Sequence, residues 1–165
     1  MFKFDKLKSD IMSKGNIIRS RSISRLIVVQ SLYQMDIAGT DKKVIIDSFL
    51  DRVVLDDTKT NLIKSADKVF FIDLIEGVVR TQKNIDPEID SNLPKDWDLS
   101  RIDITLRAIF RAAAYELIYR LDIPFKVVIN EYIEITNSFY DQKEPDLVNG
   151  VLDSIAKKYK RINQS

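Results

Sequence analysis

The 165-residue sequence predicts an all-α protein of about seven helices. Three observations carry that prediction. Apolar residues recur at helical rather than alternating spacing along nearly the whole chain. Only four glycines and four prolines punctuate it, too few for a fold of many strands and turns. Residues able to start or stop a helix stand where the periodic runs begin and end.

The first run, "SISRLIVVQSLYQMDIAGTD", has Ser22 or Ser24 to cap its start and Gly39 just past its end. Leu26, Val29, Leu32 and Tyr33 fall on one face; the central "RLIVV" has local strand character that the longer period overrides. Thr40-Asp41 caps a second helix carrying Val44, Ile45, Phe49, Leu50 and Val53. A third, long helix is predicted from Thr58 or Thr60 to Ile89, with Pro87 and Pro94 marking its end and the following linker. Within "KDWDLSRIDI" a short helical turn is expected, anchored on the bundle by Trp97. "TLRAIFRAAAYELIYRL" is the clearest core helix, its alanines allowing neighbours to approach closely. Pro124 interrupts the chain before the helical "FKVVINEYIEITNSFY". The last helix starts at Pro145 and runs from Asp146 to about Lys160, where the basic "KKYKR" suits the negative pole of its dipole.

Composition narrows the function. A formal net charge of +1 means that binding to nucleic acid must come from where charge is placed, not from excess charge. Cysteine is absent, which removes disulfides and thiolate chemistry and fits a reducing compartment. Histidine is absent too, which excludes Ser-His-Asp and Cys-His catalysis, HExxH zinc sites and Glu-x-x-His di-metal sites. No apolar run approaches the length of a membrane span, and the N-terminus lacks the features of a secretory signal. The expectation is a cytoplasmic protein without metal or cofactor.

Cations are dense at the N-terminus: Lys3, Lys6, Lys8, Lys14, Arg19, Arg21 and Arg25, with only Asp5 and Asp10 opposing them before Asp36. Arg21 and Arg25 stand one helical turn apart, and Lys14 and Arg19 lie in the lead-in among Gly, Asn and Ser. A basic arm feeding a basic first turn suits phosphate contacts along a single strand. The alternative is a solubilising arm. Cations at a helix start oppose its dipole, which favours a binding role.

Other polar residues read as structure. Among Glu116, Glu131, Glu134 and Asp153, the pair Glu131 and Glu134 could be read as hydrolase carboxylates, but no phosphate loop or Asp-x-Asp pattern joins them. Asn130 and Asn149 lie inside apolar helices and are expected to be buried with Glu116 and Glu131 in a network joining the last three helices. Gly150 is then a helix–helix approach point, accepting about 1 kcal/mol of lost helix propensity relative to Ala. Of Arg107 and Arg111, one is expected in solvent and the other on helix-end carbonyls.

Five collinear segments, across about residues 19–158, resemble the NusB family of transcription antitermination factors. They are "SRLIVVQSLYQMD", "FFIDLIEGVV", "WDLSRIDITLRAIFRAAAYELIYRLDIP", "FKVVINEYIEITNSF" and "LVNGVLDSIA". The resemblance implies a non-enzymatic, all-helical protein of two packed helical subdomains, here about 19–90 and 95–160 within one domain over 19–160. An arm over 1–18 and a tail over 161–165 flank it. It also implies binding to boxA-like single-stranded RNA of ribosomal RNA leaders with NusE, a small-subunit ribosomal protein, in the RNA polymerase antitermination complex. The same domain occurs fused ahead of a ribosomal RNA methyltransferase; this length favours the free-standing factor.

Carried over residue by residue, Arg21 and Arg25 match the family's arginine-rich first turn, while Ser22 and Ile23 stand where some members have further arginines. Tyr33 is a candidate base or sugar contact, or simple core, and Lys126 matches a basic position. Asp146-Leu147 replaces the family's usual Lys-Phe, so Leu147 can still serve a protein partner while Asp146 reverses a charge. Replacing Arg21 and Arg25 by Ala is expected to weaken RNA binding without unfolding the domain. A homodimer covering the RNA face stays open beside the monomer, as does a helical interaction module without direct RNA binding.

Overall fold

The computed structural model describes residues 16–55 and 62–162, with side chains over 20–55 and 63–159. These residues form six α-helices and one 3₁₀ helix: α1 Asn16–Ala38, α2 Lys42–Leu55, the 3₁₀ helix Leu62–Ser65, α3 Lys68–Asn92, α4 Ile104–Tyr119, α5 Phe125–Phe139 and α6 Lys143–Ile162. The seventh helical element is therefore the 3₁₀ helix, and "KDWDLSRIDI" forms turns instead. Trp97 does pack there against the core.

α1 begins before Ser22 and Ser24, so neither serine is its cap. Every residue from Ser22 to Val29 is buried. That all-round burial explains why "RLIVV" reads as a continuous apolar run rather than a stripe. The Ser24 hydroxyl donates to the carbonyls of Ser20 (3.0 Å) and Asp67 (2.8 Å), which needs no helix start. Gly39 follows with φ +65°, and its N–H donates to the Met35 carbonyl at 3.0 Å. Asp41 caps α2, accepting from the Lys43 N–H at 2.8 Å.

The predicted third helix is broken in two. Asp67 ends the first piece and caps α3, accepting from the Phe70 N–H at 3.0 Å. Its own N–H donates to the Ser20 carbonyl at 3.2 Å, so α1 fixes the break. α3 then passes through Pro87, which lies on an exposed face where water can meet the carbonyl the ring leaves unpaired. The helix stops at Leu93, just before Pro94. Residues 93–103 link α3 to α4, and Arg107 Nη1 donates to the Leu99 and Ser100 carbonyls at 3.1 and 3.2 Å.

α4 is the central helix and packs against α1, α3, α5 and α6. Ala112, Ala113 and Ala114 are fully buried, the small side chains that such crowding requires. α2 closes one side of α3, where Phe49 and Phe71 stack at 3.9 Å between centroids.

The close helix–helix approach lies at Gly77, not at Gly150. A Cβ on Gly77 would stand 2.0 Å from Cζ of Tyr115, whereas one on Gly150 meets nothing within 4 Å. Asn130, Asn149 and Gly150 are all exposed, so the expected buried amide network does not form. Both amides are open to solvent and so need no buried partner. Gly77→Ala should destabilise the protein by about 1–3 kcal/mol through overpacking against Tyr115. Gly150→Ala should be neutral or stabilising by up to about 1 kcal/mol. Urea unfolding of the two variants measures both.

Candidate nucleic-acid interface

Arg21 and Arg25 part company in the folded protein. Four residues turn a helix through about 40° beyond a full turn, enough to carry Arg25 off the surface. Its side chain is 3% exposed and that of Glu116 is 0%. Nε and Nη2 of Arg25 donate to Oε2 and Oε1 of Glu116, both at 2.9 Å, a bidentate pair between α1 and α4. Tyr132 of α5 donates its hydroxyl to Glu116 Oε2 at 2.5 Å, and Glu131 lies 3.9 Å from Arg25 Nη1. Burial by itself would lower the Arg25 pKa, but the hydrogen bonds and charge of Glu116 hold it above the ordinary arginine value. Arg25 is thus corrected from an RNA contact to the centre of a buried knot, because a guanidinium held this way has no donor facing solvent. Glu116 and Glu131 keep the structural role expected of them, with Arg25 and Tyr132 in place of the asparagines. Glu131, engaged by Arg25, is not free to work as a hydrolytic carboxylate beside Glu134.

Arg21 remains at the surface, with 41% of its side chain exposed and Nε 3.6 Å from Asp67 Oδ2. Its guanidinium carbon lies 4.8 Å from the centroid of the Phe70 ring. Arg25 approaches the same ring at 5.0 Å and Arg120, just past α4, at 5.4 Å. Arg120 is held by Asp122 (3.0 Å for both bonds) and by Asp73 (2.8 Å). Phe70, Tyr132 and Arg120 were not singled out from sequence. All three lie in the segments of family resemblance, but only the fold brings them together.

The other candidates are dispersed. Lys14 lies outside the described residues, as does the side chain of Arg19, whose backbone belongs to α1 rather than to a lead-in. Tyr33 is 38% exposed, about 18 Å along α1 from Arg21 and about 120° around it, by helix geometry. Lys126 is exposed in the first turn of α5. Asp146 is exposed and Leu147 half-buried against the core in the first turns of α6. Arg107 satisfies carbonyls of the linker rather than of a helix end, and Arg111 is not in solvent: it forms a bidentate pair with Asp86 at 2.9 and 2.8 Å. Among the described residues, no cluster of acidic side chains could hold a metal ion, and no helix is long and apolar enough to cross a membrane.

The sequence profile of the NusB family matches residues 22–157. The chain belongs to the NusB family. It is 45% identical to the transcription antitermination protein NusB of Caulobacter vibrioides over 143 residues, 87% of this chain and 96% of that protein. With the protein of the same name from Bradyrhizobium diazoefficiens it shares 44% over 140 residues, 85% of each chain. Of solved structures, T. maritima NusB superposes with a TM-score of 0.70 at 30% identity, covering 88% of this chain and 97% of that one. A structure of the antitermination factors NusB and NusE in complex with dsRNA has the same fold, with a TM-score of 0.70 at 22% identity, covering 86% and 98%. The family is one of antitermination factors and not of enzymes. Arg25 and Glu116 both stand in segments that resemble the family, so part of that resemblance encodes folding rather than binding.

Two outcomes test the knot. Arg25→Met should cost about 3–5 kcal/mol, since it leaves Glu116 buried without its counter-charge. Adding Glu116→Leu and Tyr132→Phe should restore much of that loss, as read by urea unfolding. The second outcome concerns pH. Burial, then the Glu116 charge, pushes the Tyr132 hydroxyl well above its ordinary value. The unfolded chain releases this proton near pH 10 while the folded chain keeps it, so the stability is complete below about pH 10 and falls as pH rises further. Burial and a neighbouring carboxylate also raise Tyr115, Tyr140 and Tyr159, which steepens the same trend. Stability measured at pH 9 and pH 11 should fall less in Tyr132→Phe than in the parent protein.

Proposed function

We propose that this NusB-family chain binds boxA-like single-stranded RNA of ribosomal RNA leaders together with NusE, and so acts in the RNA polymerase antitermination complex of the cytoplasm. The observation that carries the reading is Arg21, a half-exposed guanidinium on the first buried turn of α1, directly after a sequence dense in lysine and arginine. The shared fold with the NusB of the NusB–NusE–RNA structure supports the same assembly. Lys14, Arg19 and Lys126 would add phosphate contacts, Tyr33 a contact with base or sugar, and Leu147 beside Asp146 a contact with the protein partner.

The withdrawal of Arg25 into the core leaves fewer cations on this face than the sequence promised, which favours a second reading: a helical interaction module without direct RNA contact. Titrating a labelled boxA RNA with and without NusE, across 50–200 mM salt, separates the two. Arg21→Ala should weaken binding and reduce the log–log salt slope by about 1, while leaving the unfolding midpoint in place. Unchanged binding at low and moderate salt would move the RNA face away from α1. Arg25→Ala should instead fail first in stability, reversing the sequence-based expectation that both arginines behave alike.

A further inference from the structure

Three guanidiniums, Arg21, Arg25 and Arg120, gather around the single ring of Phe70 at 4.8, 5.0 and 5.4 Å. Like charges gather so closely only where most are neutralised. Arg25 is neutralised by Glu116 and Arg120 by Asp73 and Asp122. Arg21 differs. Among the described residues its ion pair is through Nε to Asp67 at 3.6 Å, beyond hydrogen-bond length; the Asp122 charge also acts on it, and no acceptor is hydrogen-bonded to its terminal nitrogens. Phe70 itself is 2% exposed and lies in the first turn of α3, whose start is fixed by the Asp67 cap and by two hydrogen bonds between α1 and Asp67. The ring is thus a rigid surface against which a planar, weakly hydrated guanidinium can rest. A free arginine side chain carries considerable rotamer entropy, and a side chain already held flat loses less of it on meeting a phosphate.

We propose that Phe70 is the positioning residue of the RNA contact: it acts through Arg21, holding that guanidinium flat with its terminal nitrogens turned outward to take a phosphate. This inference rests on the RNA-binding reading above and goes beyond it, since Phe70 touches no RNA itself.

A double-mutant cycle on the full chain with NusE tests it, using fluorescein-labelled single-stranded boxA RNA as the probe. Phe70→Leu keeps an apolar side chain at the site, and should weaken binding about two- to fivefold. In an Arg21→Ala background the same change should have no further effect. An equal loss in both backgrounds would mean that Phe70 acts on the fold, and would overturn the proposal. Full affinity in Phe70→Leu with a loss in Arg21→Ala would overturn it while leaving the RNA reading intact. No loss in Arg21→Ala would overturn both. Should Phe70→Leu fold poorly, proton NMR of the unaltered protein decides instead: the Arg21 side-chain protons must show an upfield ring-current displacement that urea abolishes. Random-coil positions for those protons in the folded protein would overturn the proposal.

Discussion

The buried pair between Arg25 and Glu116 is the interaction on which the rest of this structure depends. Neither charge can be left alone in the core, so α1 and α4 must meet in one register. Tyr132 extends the constraint to α5, and Glu131 supplies a second carboxylate near the guanidinium. Three helices far apart in sequence are thereby tied at one point, while hydrophobic contact alone would tolerate small slides between them. The knot also sets where α1 lies against the start of α3, because Ser20 and Ser24, one turn before and beside Arg25, bond to Asp67.

Around that point the packing follows from side-chain size. The alanines of α4 let four helices reach it, and Gly77 lets the Tyr115 ring cross α3 with almost no clearance. Tyr115 then donates its hydroxyl to Asp73 at 3.1 Å, and Asp73 in turn accepts from Arg120. A single close approach therefore connects the core to the charged surface beside Phe70. On the other side, Asp36 joins Arg107 (2.7 Å) and Arg111 (3.5 Å), and Asp86 completes the link to α3. These half-buried pairs hold the end of α1 and the 93–103 linker against α4.

The surface that results is mixed in charge rather than uniformly basic. Arg21 stays half-exposed beside Asp67, with the Asp122 charge also acting on it, so what it offers the proposed RNA contact depends on how it is held as much as on its charge. Two arginines near it are committed to the fold. A net charge of +1 is compatible with the proposed RNA contact, which would depend on where cations are placed rather than on their excess.

Much of this was legible in the chain itself. Helical period, the scarcity of glycine and proline, the Gly39 stop and the Asp41 cap determine an all-α fold and some of its helix limits, because these are local properties of backbone and side chain. The absence of histidine and cysteine removes whole classes of chemistry for the same local reason. Only the tertiary structure decided which residues face inward. Arg25 and Arg21 are equivalent by composition and nearly so by helical angle, yet one is buried on Glu116 and the other stays half-exposed beside Asp67. Gly77 and Gly150 are both glycines within helices, yet one lies beneath Tyr115 and the other beneath nothing. Burial of a polar or small residue depends on partners supplied from elsewhere in the chain, and periodicity along one helix does not encode what stands opposite it.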